Sequence, residues 1–284
     1  MSNDAPLRRL QQHYHRWAAS AEPSMFLVKE IGQRLLERLS LIKLKPDFIL
    51  DTSHLFDHQA KNLLTHYPTA QVFENIIDVT QLLTRRCWWQ RFEKQAKPLM
   101  ADPHHLPLAE DSVDLIVSNC LFYGSWDALQ LVREWYRVLK PGGLLLFSSL
   151  GPDTLKEWRS VEQDMLGMPV KTPFQDMHDI GDSLLRQGFS DPVMDMELLT
   201  VYYNTFKVLQ RDLRINHFSN DAKPAFHGKT YWPEFDVQYP REPVTNKLPV
   251  TCEILYGHAW KLKKMPVESP SEVSISISQI KRRS

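Results

Sequence analysis

The sequence predicts an α/β protein, a doubly wound sheet with helices on both faces and a helix-and-strand elaboration after it. Three observations carry that prediction. Short apolar runs alternate with helical stretches between residues 48 and 150; the first run, Phe48-Ile49-Leu50-Asp51, ends in an acid; and Pro141-Gly142-Gly143 turns an amphipathic helix into an apolar run. Strands separated by helices return to the same edge of the sheet and so lie parallel. Ligands in such sheets bind at the carboxyl ends of the strands.

Taken in order, residues 7–17 form a weak helix whose Tyr14 and Trp17 face something to be covered. Residues 24–39 place Val28, Ile31, Leu35, Leu36 and Leu39 at helical spacing behind Ser24 as N-cap. Strands are expected at 48–51, 70–73, 98–102, 113–118 and 143–150, with helices at 57–66, 78–86 and 126–139 between them. Beyond Gly151, residues 153–166, 176–187 and 204–215 read as helices and 193–199 and 250–260 as strands. The Pro-, Gly- and aromatic-rich stretch 220–249 reads as an irregular loop, and the polar end from 265 as a solvated tail. Four regions result: covering helices (1–45), a nucleotide-binding-type core (46–150), a substrate-side elaboration (151–264) and a basic tail (265–284).

Composition excludes several classes. Lys plus Arg equals Asp plus Glu at 34 each, so net charge gives no argument for nucleic acid or an anionic membrane. The three basic residues of Lys281-Arg282-Arg283-Ser284 release few counterions. Cys87, Cys120 and Cys252 form no CxxC pair, which argues against a disulfide framework or a cysteine-rich zinc site and for a reducing cytoplasm. No apolar run reaches the roughly 18–20 residues that span a bilayer, and the first residues lack a signal-peptide layout. His13-x-His15 and His104-His105 lack further ligands at metal spacing, so no metal site is expected. Trp88-Trp89, among Arg85, Arg86 and Arg91, reads equally as a partner surface or as packing onto the sheet.

Residues 106–119, Leu-Pro-Leu-Ala-Glu-Asp-Ser-Val-Asp-Leu-Ile-Val-Ser-Asn, followed by Arg137-Val138-Leu139-Lys140-Pro141-Gly142-Gly143, resemble the second half of a class I S-adenosylmethionine-dependent methyltransferase. Four further blocks sharpen the likeness: 29–39, Ser149-Leu150-Gly151-Pro152-Asp153-Thr154-Leu155-Lys156-Glu157, Gly188-Phe189-Ser190-Asp191-Pro192-Val193-Met194-Asp195 and Leu255-Tyr256-Gly257-His258-Ala259-Trp260. With 176–182, they are similar to the BioC group, malonyl-acyl-carrier-protein O-methyltransferases that mask a malonyl carboxylate as its methyl ester at the start of pimeloyl synthesis for biotin. The resemblance runs from about residue 24 to 260.

It implies S-adenosylmethionine as cofactor and a malonyl-loaded acyl carrier protein as partner, with no nucleic acid or membrane. Asp51 matches the acid that opens the cofactor loop, Asp102 the adenine-binding position, and Asn119 the position beside the methionine part. An ionised acceptor needs no general base, so no side-chain acid or base is expected to catalyse transfer; alignment and exclusion of water do the work. One cation must hold the malonyl carboxylate, and arginine offers bidentate geometry. Arg159 is the first candidate, with Arg186 and Arg211 behind it. Lys207, Arg211 and Arg214 share one predicted helix face, read either as a docking patch for the acidic carrier protein or as a solvated face.

The chain also departs from the family. No glycine lies between Gly32 and Gly124. Where the family has approximately Asp-Leu-Gly-Cys-Gly-Thr-Gly, this chain has Asp51-Thr52-Ser53-His54-Leu55-Phe56-Asp57, and Ile76 stands where a carboxylate grips the ribose hydroxyls. Left-handed geometry at a residue with a Cβ costs about 1–2 kcal/mol. Three readings follow: an active carboxyl O-methyltransferase with a remodelled loop, a catalytically silent paralog that binds a carrier protein or a methyltransferase partner, or a methyltransferase-like assembly factor of respiratory complex I.

Overall fold

The computed structural model describes residues 5–17, 25–53, 59–77, 95–125, 127–172, 174–215 and 230–262. The expected cap Ser24, most of the remodelled turn (54–57), the expected helix 78–86, Cys87, Trp88-Trp89 and the basic tail lie outside them, as do the side chains of His13, Tyr14 and Trp17. Nine helices are described: α1 (Ala5–Trp17), α2 (Phe26–Ser40), α3 (Gln59–His66), α4 (Leu121–Gly124), α5 (Ala128–Val138), α6 (Lys156–Leu166), α7 (Met177–Gln187), α8 (Phe206–Ile215) and α9 (Tyr231–Gln238). The strands are β1 (Phe48–Asp51), β2 (Gln71–Ile76), β3 (Lys97–Met100), β4 (Val113–Ser118), β5 (Leu139–Leu150), β6 (Phe189–Tyr203) and β7 (Leu248–Lys261).

They form one seven-stranded sheet in the order β3-β2-β1-β4-β5-β7-β6. β1 to β5 are parallel neighbours, whereas β7 runs antiparallel to both β5 and β6. Alternation along each strand sends residues to opposite faces. Leu144 and Leu146 meet Ile31, Leu35 and Leu39 of α2 on one face, while Leu145 and Phe147 meet Leu131, Trp135 and Val138 of α5 on the other. Both faces are therefore covered, which is why β4 and β5 read as near-continuous apolar runs.

Three stretches differ from the sequence expectation, the first being β5, which begins at Leu139 rather than Gly143. β6 extends over 15 residues rather than 193–199, pairing continuously from Val193↔His258 to Tyr203↔Leu248. β5 stops at Leu150 opposite Ile254, so the β6–β7 pair projects past the carboxyl edge of the parallel strands. The stretch expected to be an irregular loop contains α9, which buries Phe235. Pro233 is tolerated because it lies in the first turn, where backbone N–H groups have no helical acceptor.

α2 is held from two sides. Arg34 pairs with Glu30 at 2.9 Å and with Glu197 of β6; Arg38 pairs with Asp195 at 2.7 Å and lies 3.7 Å above the Tyr256 ring.

Gly257 of β7 faces Phe147 of β5 and Met194 of β6. A Cβ there would stand 2.3 Å from Phe147 Cζ and 2.7 Å from Met194 Sδ. Gly257→Ala is expected to lower stability by about 1–3 kcal/mol through overpacking. The check is the urea midpoint at constant slope; an unchanged midpoint would show that the ring can step aside.

Candidate active site

The carboxyl edge is built by four connections leaving the sheet together. β1 ends in Asp51, buried, whose Oδ1 accepts from Ser53 N at 3.0 Å. Thr52 N donates to Val117 O of β4 at 2.8 Å, and Asn119 N donates to Ser53 Oγ at 3.1 Å. The first turn is thus tied to the end of β4. Thr52 Oγ1 is buried with no hydrogen-bond partner among the described residues, at the point where the strands splay.

Asn119 joins three elements. Its Nδ2 donates to Val28 O of α2 at 2.8 Å, and its Oδ1 accepts from Ser148 Oγ of β5 at 2.6 Å. Cys120, the next residue, turns the chain through a left-handed φ of 57° into α4. A residue with a Cβ tolerates that geometry only where its surroundings impose it; here Cys120 N is bound to Ser148 Oγ at 3.0 Å. Gly32 lets α2 approach this cluster, since a Cβ there would fall 1.7 Å from Gln59 Nε2 and 2.7 Å from Asn119 Nδ2.

Asp102 lies just beyond β3. It accepts from His104 N and Nδ1, both at 2.9 Å, and from His105 Nδ1 at 3.2 Å. Burial alone would raise its pKa, but the His104 and His105 hydrogen bonds outweigh it and hold the carboxyl down to about 2. A depressed carboxylate contributes stability above its unfolded pKa and loses it as pH falls through the folded one. Discounted for solvent screening, the contribution is about 1–2 kcal/mol. The stability difference between wild type and Asp102→Asn, present near pH 6, is expected to vanish between about pH 4 and 2 in an acid-unfolding series. A constant difference would contradict it.

At the end of β2, Ile76 is 1% exposed and Asn75 Nδ2 donates to Ala101 O at 2.9 Å and Leu99 O at 3.3 Å. Among the described residues of that strand end, Asn75, Ile76 and Ile77 carry no carboxylate; Glu74 lies two residues back, and Asp78 is outside the described residues. The edge therefore fits an S-adenosylmethionine-type cofactor in part: Thr52, Asn119 and Asp102 are polar groups at the strand ends, and none of Asn75, Ile76 and Ile77 offers a carboxylate to a ribose between them.

Beyond β5, Gly151 N donates to Glu253 O at 2.9 Å and Leu155 N to Thr251 O at 2.8 Å, laying the turn along β7. Arg159 sits one turn into α6, half-buried, its two terminal nitrogens donating to the carbonyls of Pro152 and Thr154. Burial pulls its pKa below the ordinary value, opposed by Asp153, Glu157 and Glu253. Glu157 accepts from Thr251 N at 3.0 Å and from its hydroxyl, pinning α6 to β7. Beside Arg159, Trp158 lies 4.4 Å from the Phe235 ring and stacks on Phe206 at 5.7 Å with planes 7° apart. The result is an aromatic wall over the carboxyl edge.

The sequence candidates separate in space. Asp51 and Asn119 converge, Asp102 stands beside them across β1 and β2, and Arg159 comes from the β5 side. Arg186, in the last turn of α7, precedes the start of β6, which pairs with the end of β7; it is exposed at the opposite edge, bonded to Asp182 O of its own helix at 3.2 Å. Arg211 is exposed on the outer face of α8, 3.6 Å from Asp212. Sequence reasoning missed Glu157, Glu253, Trp158 and Phe235, whose partners lie far along the chain. No group of metal-ligating side chains and no membrane-spanning helix occurs among the described residues. Burial, with Glu157 nearby, pushes the Cys252 thiol up to about 12.

A 3-2-1-4-5-7-6 sheet with its last strand pair antiparallel, and polar groups converging on the ends of β1, β3 and β4, defines a class I S-adenosylmethionine-dependent methyltransferase. Residues 61–147 match the methyltransferase domain family. Among solved structures, the chain is similar in fold to phosphoethanolamine N-methyltransferase 2 of Haemonchus contortus, determined with S-adenosylhomocysteine (TM-score 0.54, 15% identity, 89% of this chain and 60% of that one). The YcgJ protein of Bacillus subtilis aligns with a TM-score of 0.56 at 11% identity, over 81% of this chain and 99% of its own. Malonyl-[acyl-carrier protein] O-methyltransferase of Gallionella capsiferriformans is 38% identical over 262 residues, 89% of this chain and 90% of that protein. Malonyl-[acyl-carrier protein] O-methyltransferase 1 of Coxiella burnetii is 38% identical over 261 residues, 90% and 89% of the two chains. The chain belongs to the malonyl-[acyl-carrier protein] O-methyltransferase family.

Proposed function

We propose that this protein transfers a methyl group from S-adenosylmethionine to the free carboxylate of a malonyl thioester on an acyl carrier protein, giving the methyl ester used in pimeloyl and biotin synthesis. The observation that carries this reading is the join between near-full-length family likeness and Arg159, a half-buried cation at the mouth of the carboxyl edge. When bound, the cofactor supplies an electrophilic methyl on a sulfonium. Asp102 and Asn119 are its adenine-side and methionine-side contacts, with Asp51 shaping the turn between them. Arg159 leaves its carbonyl partners to clamp the distal carboxylate, fixing the attacking oxygen. The aromatic wall of Trp158, Phe206 and Phe235 keeps water from the ion pair. The malonyl carboxylate is ionised at neutral pH, so no residue has to take a proton.

The cofactor is held more weakly than in a chain with the ribose acid. Two charge-assisted hydrogen bonds of about 1.5–3 kcal/mol each are missing at Ile76. Supply of S-adenosylmethionine and malonyl-acyl carrier protein to the purified chain, with mass detection of the methyl ester, tests the activity; calorimetry with S-adenosylhomocysteine tests the cofactor. Product formation that is lost in Asp102→Ala supports the reading. No binding at millimolar S-adenosylhomocysteine overturns it.

A further inference from the structure

α8 hangs from the end of β6, on the part of the β6–β7 pair that projects beyond β5. Its inward face is apolar: Phe206, Leu209, Leu213 and Ile215 are buried. Its outward face carries Lys207, Arg211 and Arg214, all exposed, at the i, i+4, i+7 spacing that aligns side chains in one row. Lys207 and Arg214 make no ion pair among the described residues, and the Asp212 carboxylate that Arg211 approaches is itself buried. Five cations elsewhere, Arg34, Arg38, Arg137, Lys140 and Lys261, each meet a carboxylate within 3 Å, and what sets the α8 row apart is three exposed cations aligned on one helix face. Val208, 39% exposed, adds an apolar contact beside the row.

The row is also connected to the site. Phe206, which opens α8, stacks on Trp158, and Trp158 precedes Arg159 on α6. A partner lying along α8 would therefore sit on the outer side of the helix whose inner face packs on Trp158.

We infer that the Lys207–Arg211–Arg214 face of α8 is the docking surface for the acyl carrier protein, which it recognises through an acidic helix laid along the basic row. This rests on the proposed substrate. Such an interface is steered by charge and weakens with salt. The carrier docks there with its tethered thioester directed around α8 toward Arg159.

The test is binding of malonyl-acyl carrier protein to the full chain by calorimetry, for wild type, for Lys207→Glu/Arg214→Glu, and for Arg133→Glu. Arg133 is an exposed arginine on α5, across the sheet from α8, and serves as the control. The double variant is expected to weaken carrier binding at least tenfold with an unchanged thermal midpoint and unchanged S-adenosylhomocysteine affinity. Arg133→Glu is expected to bind like wild type, and raising salt is expected to weaken wild type more than the double variant. Equal carrier affinity in wild type and double variant overturns the docking surface while leaving the substrate reading intact. A wild type that binds no carrier protein overturns both.

Discussion

Replacing Arg159 by alanine is expected to lower kcat/KM for the malonyl thioester about a hundredfold, with Arg159→Lys recovering only part of the loss. A hundredfold corresponds to about 2.7 kcal/mol, in the range of a charge-assisted pair removed from a half-buried setting. Lysine restores the charge without the two-pronged geometry, so its deficit measures orientation rather than attraction. Arg159 also donates to the carbonyls of Pro152 and Thr154, so the variant needs a thermal midpoint beside its kinetics. A loosened turn would lower that midpoint and affect every acceptor alike. Loss of the carboxylate clamp leaves the midpoint near wild type and falls on the malonyl substrate. An Arg159→Ala enzyme with unchanged kcat/KM would remove this residue from the site.

The opposite experiment adds what the chain lacks. Ile76→Asp is expected to tighten S-adenosylhomocysteine binding about a hundredfold, because a carboxylate at the end of β2 restores two charge-assisted hydrogen bonds to the ribose, discounted for imperfect geometry. The ligand-free variant should be less stable than wild type by about 2 kcal/mol, since Ile76 is 1% exposed and an aspartate there leaves a charge unpartnered until the ligand arrives. Stability and affinity should therefore move in opposite directions, and added ligand should restore the melting temperature by mass action. Lower stability with no gain in affinity would show that the cofactor does not approach this strand end.

Much of the fold was legible because the central strands are buried on both faces and their apolar runs cannot be mistaken for amphipathic helices. The strand at 113–118 was placed to the residue. The edge strand was not: along β6 exposed Val193 and Leu198 mix with Asp195 and Glu197, so neither a buried run nor a clean alternation marks its true length. α9 was hidden by Pro233 and by the density of aromatics, which signal a loop locally and a helix only once Trp158 and Phe206 are there to receive them. For the site, Asp51, Asp102 and Asn119 could be proposed because the resemblance places them at the family's positions, each at or just after the end of a strand. Arg186 shows the limit of that reasoning, since which end of a helix faces the mouth depends on chain direction, and α7 runs away from it. Glu157 and Glu253 act on partners 94 and 100 positions away, beyond any local pattern.

The antiparallel pair β6–β7 gives the sheet a division of labour along its width. The proposed cofactor contacts Asp51, Asp102 and Asn119 stand at strands on one side of β5, and the aromatic cluster and basic row belong to those on the other. Substitutions that erode one set therefore leave the geometry of the other standing, and a chain of this build can drift in its grip on one ligand while its shape toward the second stays recognisably that of its relatives. The glycine-free turn after β1 and the basic row of α8 lie on opposite sides of that division.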